Sequence, residues 1–276
     1  MSINHPCYTG GCYQNIVRIH LPVADVCNLG CGFCERSIEN KDGIKSSNNA
    51  VSPQTALSWL KKLIEEDKED IKVVGIAGPG EPLFSENTFE TLKLVKKAYP
   101  EISTCLCTNG VNLDETVDRI TGLLDYLTVT INAYTPETAK KIYKFVVFNG
   151  EYEYELDSFQ KMLDKKWEGV KKALASNSFN ALKINSIFIP DVNDEEIVDI
   201  AKKAGELGID ELNIKTLIPK AYFKDHKKFK KENLKKVREE AGKYITVFKE
   251  CKNCSYDAVG VPGKDRRLNL MFKDEI

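Results

Sequence analysis

The sequence predicts an α/β protein built as a partial, open TIM-type barrel of six strand–helix units. Three observations carry this. Strand-like and helix-like apolar periods alternate along the chain. Lys72–Ala77 (KVVGIA) is short and nearly all apolar, the pattern of a strand buried on both faces of a parallel sheet. No Gly-x-Gly-x-x-Gly motif marks a doubly wound dinucleotide-binding sheet.

In chain order, residues 15–24 read as the first strand, followed by a cysteine-rich loop. Ser52 and Pro53 form an N-cap and first helical residue, and the helix behind them lines up Ala56, Leu57, Trp59, Leu60, Leu63 and Ile64. The strand at 72–77 precedes a helix at 87–98. Strands are expected near 102–107, 126–131, 182–189 and 211–216, with helices near 113–120, 135–144, 155–176 and 194–207. The helix near 155–176 carries Leu156, Phe159, Met162, Leu163, Trp167, Val170 and Leu174 as a core-facing stripe. A last helix is expected over roughly 231–248. With no repeat or low-complexity linker, one domain is expected over 1–276: a core at about 15–220, with a segment at 1–14 and a tail at 249–276 that both carry cysteines.

The 276 residues are 42% apolar and 29% charged, enough to bury a sizeable core. Forty basic against forty-one acidic side chains leave a net charge of −1, so no global field favours nucleic acid or anionic lipid. Lys220–Lys236 is a concentrated basic run, read as a solvated face that could also steer an acidic partner. The absence of a membrane-length apolar run or a secretion-type N-terminus leads to the expectation of a cytoplasmic protein with no membrane partner.

Nine cysteines stand at 7, 12, 27, 31, 34, 105, 107, 251 and 254. An odd number in a reducing compartment excludes a disulfide framework and points to metal. Cys27, Cys31 and Cys34 share one short loop, where Gly30 and Gly32 let the backbone wrap tightly. Three thiolates there can hold three irons of a 4Fe-4S cluster and leave the fourth open. An open iron can chelate the amino and carboxylate groups of S-adenosylmethionine (SAM) and pass an electron to its sulfonium, releasing a 5′-deoxyadenosyl radical. Structural zinc prefers paired knuckles with a fourth ligand, which this spacing does not supply.

C-x3-C-x2-C with Phe33 before the third cysteine resembles the radical SAM superfamily. Gly78-Pro79-Gly80-Glu81-Pro82 resembles its glycine-rich segment, which faces the methionine amino group, although the same residues also suit a tight turn. Asn109, Thr130, Asn132, Asn185 and Ile187, at the ends of later strands, are candidates to contact the ribose, carboxylate or adenine. The remaining six cysteines, Cys7, Cys12, Cys105, Cys107, Cys251 and Cys254, suit two auxiliary 4Fe-4S clusters, with the partition open.

Further segments resemble the NifB family of nitrogenase-cofactor maturases, in order from residue 5 to about 267. They include His5-Pro-Cys-Tyr8, Arg18-Ile-His-Leu-Pro-Val-Ala24, Cys105-Leu-Cys-Thr-Asn-Gly110, Lys183-Ile-Asn-Ser-Ile-Phe-Ile-Pro190 and Cys251-x2-Cys254. The resemblance is to short forms without a carrier domain. It implies an enzyme that fuses two 4Fe-4S clusters, inserts a SAM-derived carbide and adds a sulfur. It also implies an electron donor such as ferredoxin, together with cluster-delivery and cofactor-carrier proteins. Two departures stand out. Cys12-Tyr13-Gln14 replaces family histidines, one of them a cluster ligand, and Asn40 stands where the family has a cysteine. Cys12 and Cys107 are inferred to replace the lost ligands. The alternatives are a paralogue acting on a peptide, an RNA or another metallocofactor, and a non-catalytic zinc or iron–sulfur module. His5 is an open candidate, His20 is read as a hydrogen-bonded barrel histidine, and His226 as a surface residue.

Overall fold

The computed structural model describes residues 5–8, 16–35, 38–41, 44–47, 49–226 and 230–275. Six parallel strands run β1 (Val17–His20), β2 (Ile71–Ile76), β3 (Ser103–Thr108), β4 (Tyr126–Thr130), β5 (Ala181–Phe188) and β6 (Glu211–Thr216), each beside its predecessor. A short parallel strand, β7 (Val247–Phe248), extends the β6 edge. Beyond β1 the sheet continues antiparallel through β8 (Ala258–Gly260) and β9 (Arg266–Arg267). The order β7-β6-β5-β4-β3-β2-β1-β8-β9 never returns on itself, so the expected open α/β barrel is present.

Local chemistry sets the helices. Ser52 accepts from the Thr55 amide at 3.1 Å and Pro53 opens α1 (Pro53–Lys61). Thr135 and Pro136 start α4 (Pro136–Ile142) the same way, after α2 (Glu86–Ala98) and α3 (Leu113–Ile120). The sequence continues through α5 (Leu156–Ser176), closed by Asn177 in the left-handed region, then α6 (Glu196–Glu206) and α7 (Lys231–Ala241). The main apolar core lies between these helices and the outward faces of the strands, where Leu106, Leu127, Val129, Ile184, Leu212 and Ile214 are buried.

Several boundaries differ from the sequence expectation. The first strand ends at His20, because Pro22 has no N–H to continue the ladder. The helix expected to 144 stops at Ile142, and Tyr143–Phe148 turns into a strand that pairs antiparallel with Leu29–Cys31. The helix expected to 248 ends at Ala241, before Gly242. The cysteine-rich loop contains short strands at Val26–Cys27, Leu29–Cys31, Ile38–Lys41 and Ile44–Ser47. Among the described residues no helix is long and apolar enough to cross a membrane.

Candidate active site

Alternation along the barrel strands separates core from lumen. On β3, Thr104 and Leu106 are buried toward the helices, whereas Cys105 and Cys107 are half-buried and line cavities. On β5, Leu182 and Ile184 pack outward while Lys183 and Asn185 line the lumen; on β6, Leu212 and Ile214 are outward and Asn213 and Lys215 inward. The lumen is therefore lined with sulfur, amide and ammonium groups.

At the C-terminal ends of the strands lies a cavity of about 510 Å³. Cys27, Cys31 and Cys34 line it together with Phe33, Gly80 and Glu81; Asn109, Thr130, Asn185 and Ile187 form other parts of its wall. The segment after β2 is zipped to the approach to Cys27, with Gly80 N–H donating to Ala24 O at 2.6 Å and Glu81 N–H to Val26 O at 2.7 Å. A side chain at position 80 would collide with the Val26 carbonyl, so glycine is required there. The cysteine loop is pinned from behind: Gly32 N–H donates to Ile142 O at 2.9 Å, and Tyr222 N–H donates to Gly32 O at 2.9 Å.

Two candidate residues are turned to internal work. The buried Glu81 carboxylate accepts from the Thr108 hydroxyl, the Asn109 amide at 2.7 Å and the Leu83 amide at 3.0 Å, and burial raises its pKa. Asn132 is buried behind the wall; its Nδ2 donates to the Tyr143 hydroxyl at 3.1 Å and its Oδ1 accepts from the Ile187 amide at 2.9 Å. Neither Asn132 nor Gly78 lines the cavity.

A second cavity, of about 130 Å³, lies deeper in the lumen. Cys7, Cys105, Cys107, Cys251 and Cys254 all line it, although they come from the N-terminal segment, β3 and the tail. Cys12 lies outside the described residues. Cys107 lines both cavities, as do Ala77, Asn185 and Lys215, and its Sγ accepts from Asn185 Nδ2 at 3.6 Å. Lys183 donates to the Cys7 carbonyl and lies 4.2 Å from the Tyr8 ring centroid, tying the segment at 5–8 into the barrel. The tail is held by buried Arg18, which donates to Gly260 O at 3.1 Å and pairs with Asp265 at 2.6 Å.

Burial pushes the Cys7 thiol up to about 11 against the pull of Lys183, and also raises Cys105, Cys107 and Cys254. Cys251 is held below its ordinary value: burial opposes this, but Lys215, Asn253 and Asn213 outweigh it. Burial followed by Arg18 lowers His20 to about 4, and burial with Lys183 keeps His5 well below its usual value, so both rings are neutral. His226 lies away from the lumen, half-buried, with Nε2 2.8 Å from Pro190 O.

Residues 21–204 match the radical SAM superfamily model. The FeMo cofactor biosynthesis protein NifB of Methanocaldococcus jannaschii is 37% identical over 277 residues, spanning 98% of this chain and 90% of that protein. The chain belongs to the NifB family of radical SAM enzymes. The NifB protein of Chlorobaculum tepidum is 34% identical, covering 98% of this chain and 64% of that one. The SAM-bound structure of Streptococcus suis SuiB superposes with a TM-score of 0.60 at 16% identity, over 85% of this chain and 50% of that one. Methylornithine synthase gives 0.53 at 13% identity, over 95% and 82%. These likenesses extend to the fold.

As a NifB-family radical SAM enzyme the chain uses a 4Fe-4S cluster and SAM, and its residues fit those groups. The three loop thiols and Cys107 face the open upper cavity, and five thiols, Cys107 again among them, face the deeper one, where buried thiolates require metal and nearby cations to be stable. His5 Nε2 is buried with no hydrogen-bond partner, an N–H suited to a sulfide or thiolate acceptor. Sequence reasoning missed Lys183, Asn213 and Lys215 as lumen residues. The signal was available, since polar residues at every second position interrupt otherwise apolar strands.

Proposed function

We propose that this NifB-family chain fuses two four-iron clusters, inserts a carbon from a SAM methyl group and adds a sulfur, making the eight-iron precursor of the nitrogenase cofactor. The relatives' shared name, FeMo cofactor biosynthesis protein, supports the product. The observation that carries the reading is the stacking of two cysteine-lined cavities in one lumen, with Cys107, Asn185 and Lys215 common to both walls. That arrangement suits an enzyme whose cluster substrates must sit within reach of SAM.

Cys27, Cys31 and Cys34 are assigned as the ligands of the SAM cluster. When bound, that cluster and SAM supply reductive cleavage of the sulfonium to a 5′-deoxyadenosyl radical. The chain binds and orients. The backbone around Gly80 faces the methionine end, and Asn109, Thr130, Asn185 and Ile187 serve the carboxylate, ribose and adenine. Glu81 and Asn132 hold the Asn109 and Ile187 amides in place from behind. Cys7, Cys105, Cys107, Cys251 and Cys254, with Cys12, hold the cluster substrates, while Lys183, Lys215 and Arg18 offset thiolate charge. In this reading residues 1–276 work as one domain in the cytoplasm, supplied by a ferredoxin-type electron donor and by cluster-delivery proteins, and relieved of product by a carrier protein.

Anaerobic reconstitution is expected to give about twelve irons per chain, four for each of three clusters. Cys27→Ser, Cys31→Ser or Cys34→Ser is expected to retain about eight and to lose SAM cleavage. With SAM and sulfite, the wild-type product is expected to activate cofactor-free nitrogenase. SAM cleavage that yields no activating product would sink this reading.

A further inference from the structure

The chain that follows α4 closes the back of the cysteine loop. Tyr143 stands opposite Cys31 in the strand register, packs in one apolar cluster with it, and also forms part of the wall of a surface groove of about 500 Å³. The loop's other edge is held by Tyr222, whose N–H donates to Gly32 O at 2.9 Å and whose side chain, 69% exposed, lines the same groove. Cys31 is thus one residue away from a hydrogen bond whose donor belongs to a surface residue.

The groove is basic and aromatic. Lys140, Lys141 and Lys144 line it against one carboxylate, Glu155, which already lies 3.9 Å from Lys140 Nζ. Tyr154, 53% exposed, and Tyr222 supply the aromatic surface, and Lys144 Nζ stands 5.3 Å from the Tyr222 ring centroid. Exposed Lys220 and Lys224 flank Tyr222 in sequence, at the start of the basic run, although Lys220 is paired with Glu35 at 2.7 Å. The whole chain carries a net charge of −1, so this positive face is local. Tyrosines left exposed among unbalanced like charges mark a surface built for a partner.

Reductive cleavage of SAM consumes an electron that the chain must receive from outside. With SAM in the upper cavity, the rear of the cysteine loop is the approach that stays open. We propose that this groove is the docking face for a small acidic protein that carries one electron at a time. In the step it serves, the reduced carrier loses one electron and the cluster on Cys27, Cys31 and Cys34 gains it; no bond forms or breaks and no proton moves. The proposal rests on that cluster assignment. Encounters between electron carriers are small and steered by opposite charge, which suits a groove of lysines and tyrosines.

The test measures 5′-deoxyadenosine formed by the anaerobically reconstituted full chain, with electrons from a reduced acidic 2Fe-2S ferredoxin or from dithionite. Lys141→Glu combined with Lys144→Glu is expected to raise the KM for ferredoxin about tenfold and to leave dithionite-driven cleavage unchanged. Added salt is expected to slow the ferredoxin-driven rate of wild type more than that of the double variant. Reversing two exposed lysines on α2, Lys93→Glu with Lys97→Glu, is expected to change neither rate. Carbodiimide coupling of ferredoxin carboxylates to the wild-type chain, which needs no variant to fold, is expected to mark Lys140, Lys141 or Lys144. An unchanged KM in the groove variant, an equal effect of the α2 variant, or coupling confined to other lysines overturns the docking face and leaves the cluster assignment standing. Wild type that forms no 5′-deoxyadenosine with dithionite overturns the cluster assignment and this proposal with it.

Discussion

Glu81 shows how a motif residue can matter without touching a ligand. Its carboxylate gathers Thr108, Asn109 and Leu83, and so fixes the backbone where β3 enters the upper cavity. Burial raises its folded-state pKa above the ordinary 4.5. The associated stability is therefore full below 4.5 and is lost as pH rises through the higher folded value. A wild-type melting midpoint that falls over this window, against a flatter profile for Glu81→Gln, is the expected result of thermal scans. Gly80 has less tolerance. Gly80→Ala meets the Val26 carbonyl, which cannot swing aside, and is expected to cost about 1–3 kcal/mol and weaken SAM binding, as calorimetry would register. The cysteines and Gly80 were legible because spacing and turn chemistry are local. The internal duties of Glu81 and Asn132 were not, because their partners lie 27 and 55 positions away.

Among the elements, the six barrel strands were readable because each is a short apolar run bounded by turn residues. Two of the misplaced boundaries involve strand pairing. Leu234, Val237, Ala241, Ile245 and Phe248 keep helical spacing, yet Gly242 ends the helix and β7 pairs with β6. Tyr143–Phe148 becomes a strand through pairing with Leu29–Cys31, a non-local contact that periodicity does not reveal. The tail is anchored by the pair between Arg18 and Asp265, whose side chains are 1% and 17% exposed. Asp265→Asn removes the partner of a buried charge and is expected to cost about 3 kcal/mol. Urea unfolding followed by far-UV CD measures that loss. Iron in the deeper cavity is expected to fall with it, because the same tail carries Cys251 and Cys254.

At the scale of the molecule, composition and cysteine count pointed to a multi-cluster enzyme, but the convergence of five cysteines from three distant segments belongs to the tertiary fold. Chelation separates the parts that stand alone from those that rely on metal. Removing iron is expected to leave the far-UV CD of the sheet and helices largely intact, since their core is apolar. Cleavage by trypsin at the exposed Lys249, Lys252 and Lys264 is expected to speed up severalfold, as the tail loses its cysteine anchors. Unchanged tail proteolysis after chelation would show that Arg18 and β8 suffice to hold it.

Among the described residues the sheet ends at β7 on one side and β9 on the other, so the backbone ladder leaves the barrel open. The deeper cavity draws together the N-terminal segment, β1, β3 and the tail, pieces from both sides of that opening. In the loaded enzyme proposed above, iron and sulfur act as a rivet across the gap. A substrate that also fastens the enzyme's seam makes departure of product and loosening of the barrel one event, and the chain is then tightest when it is charged and slackest when its work is done.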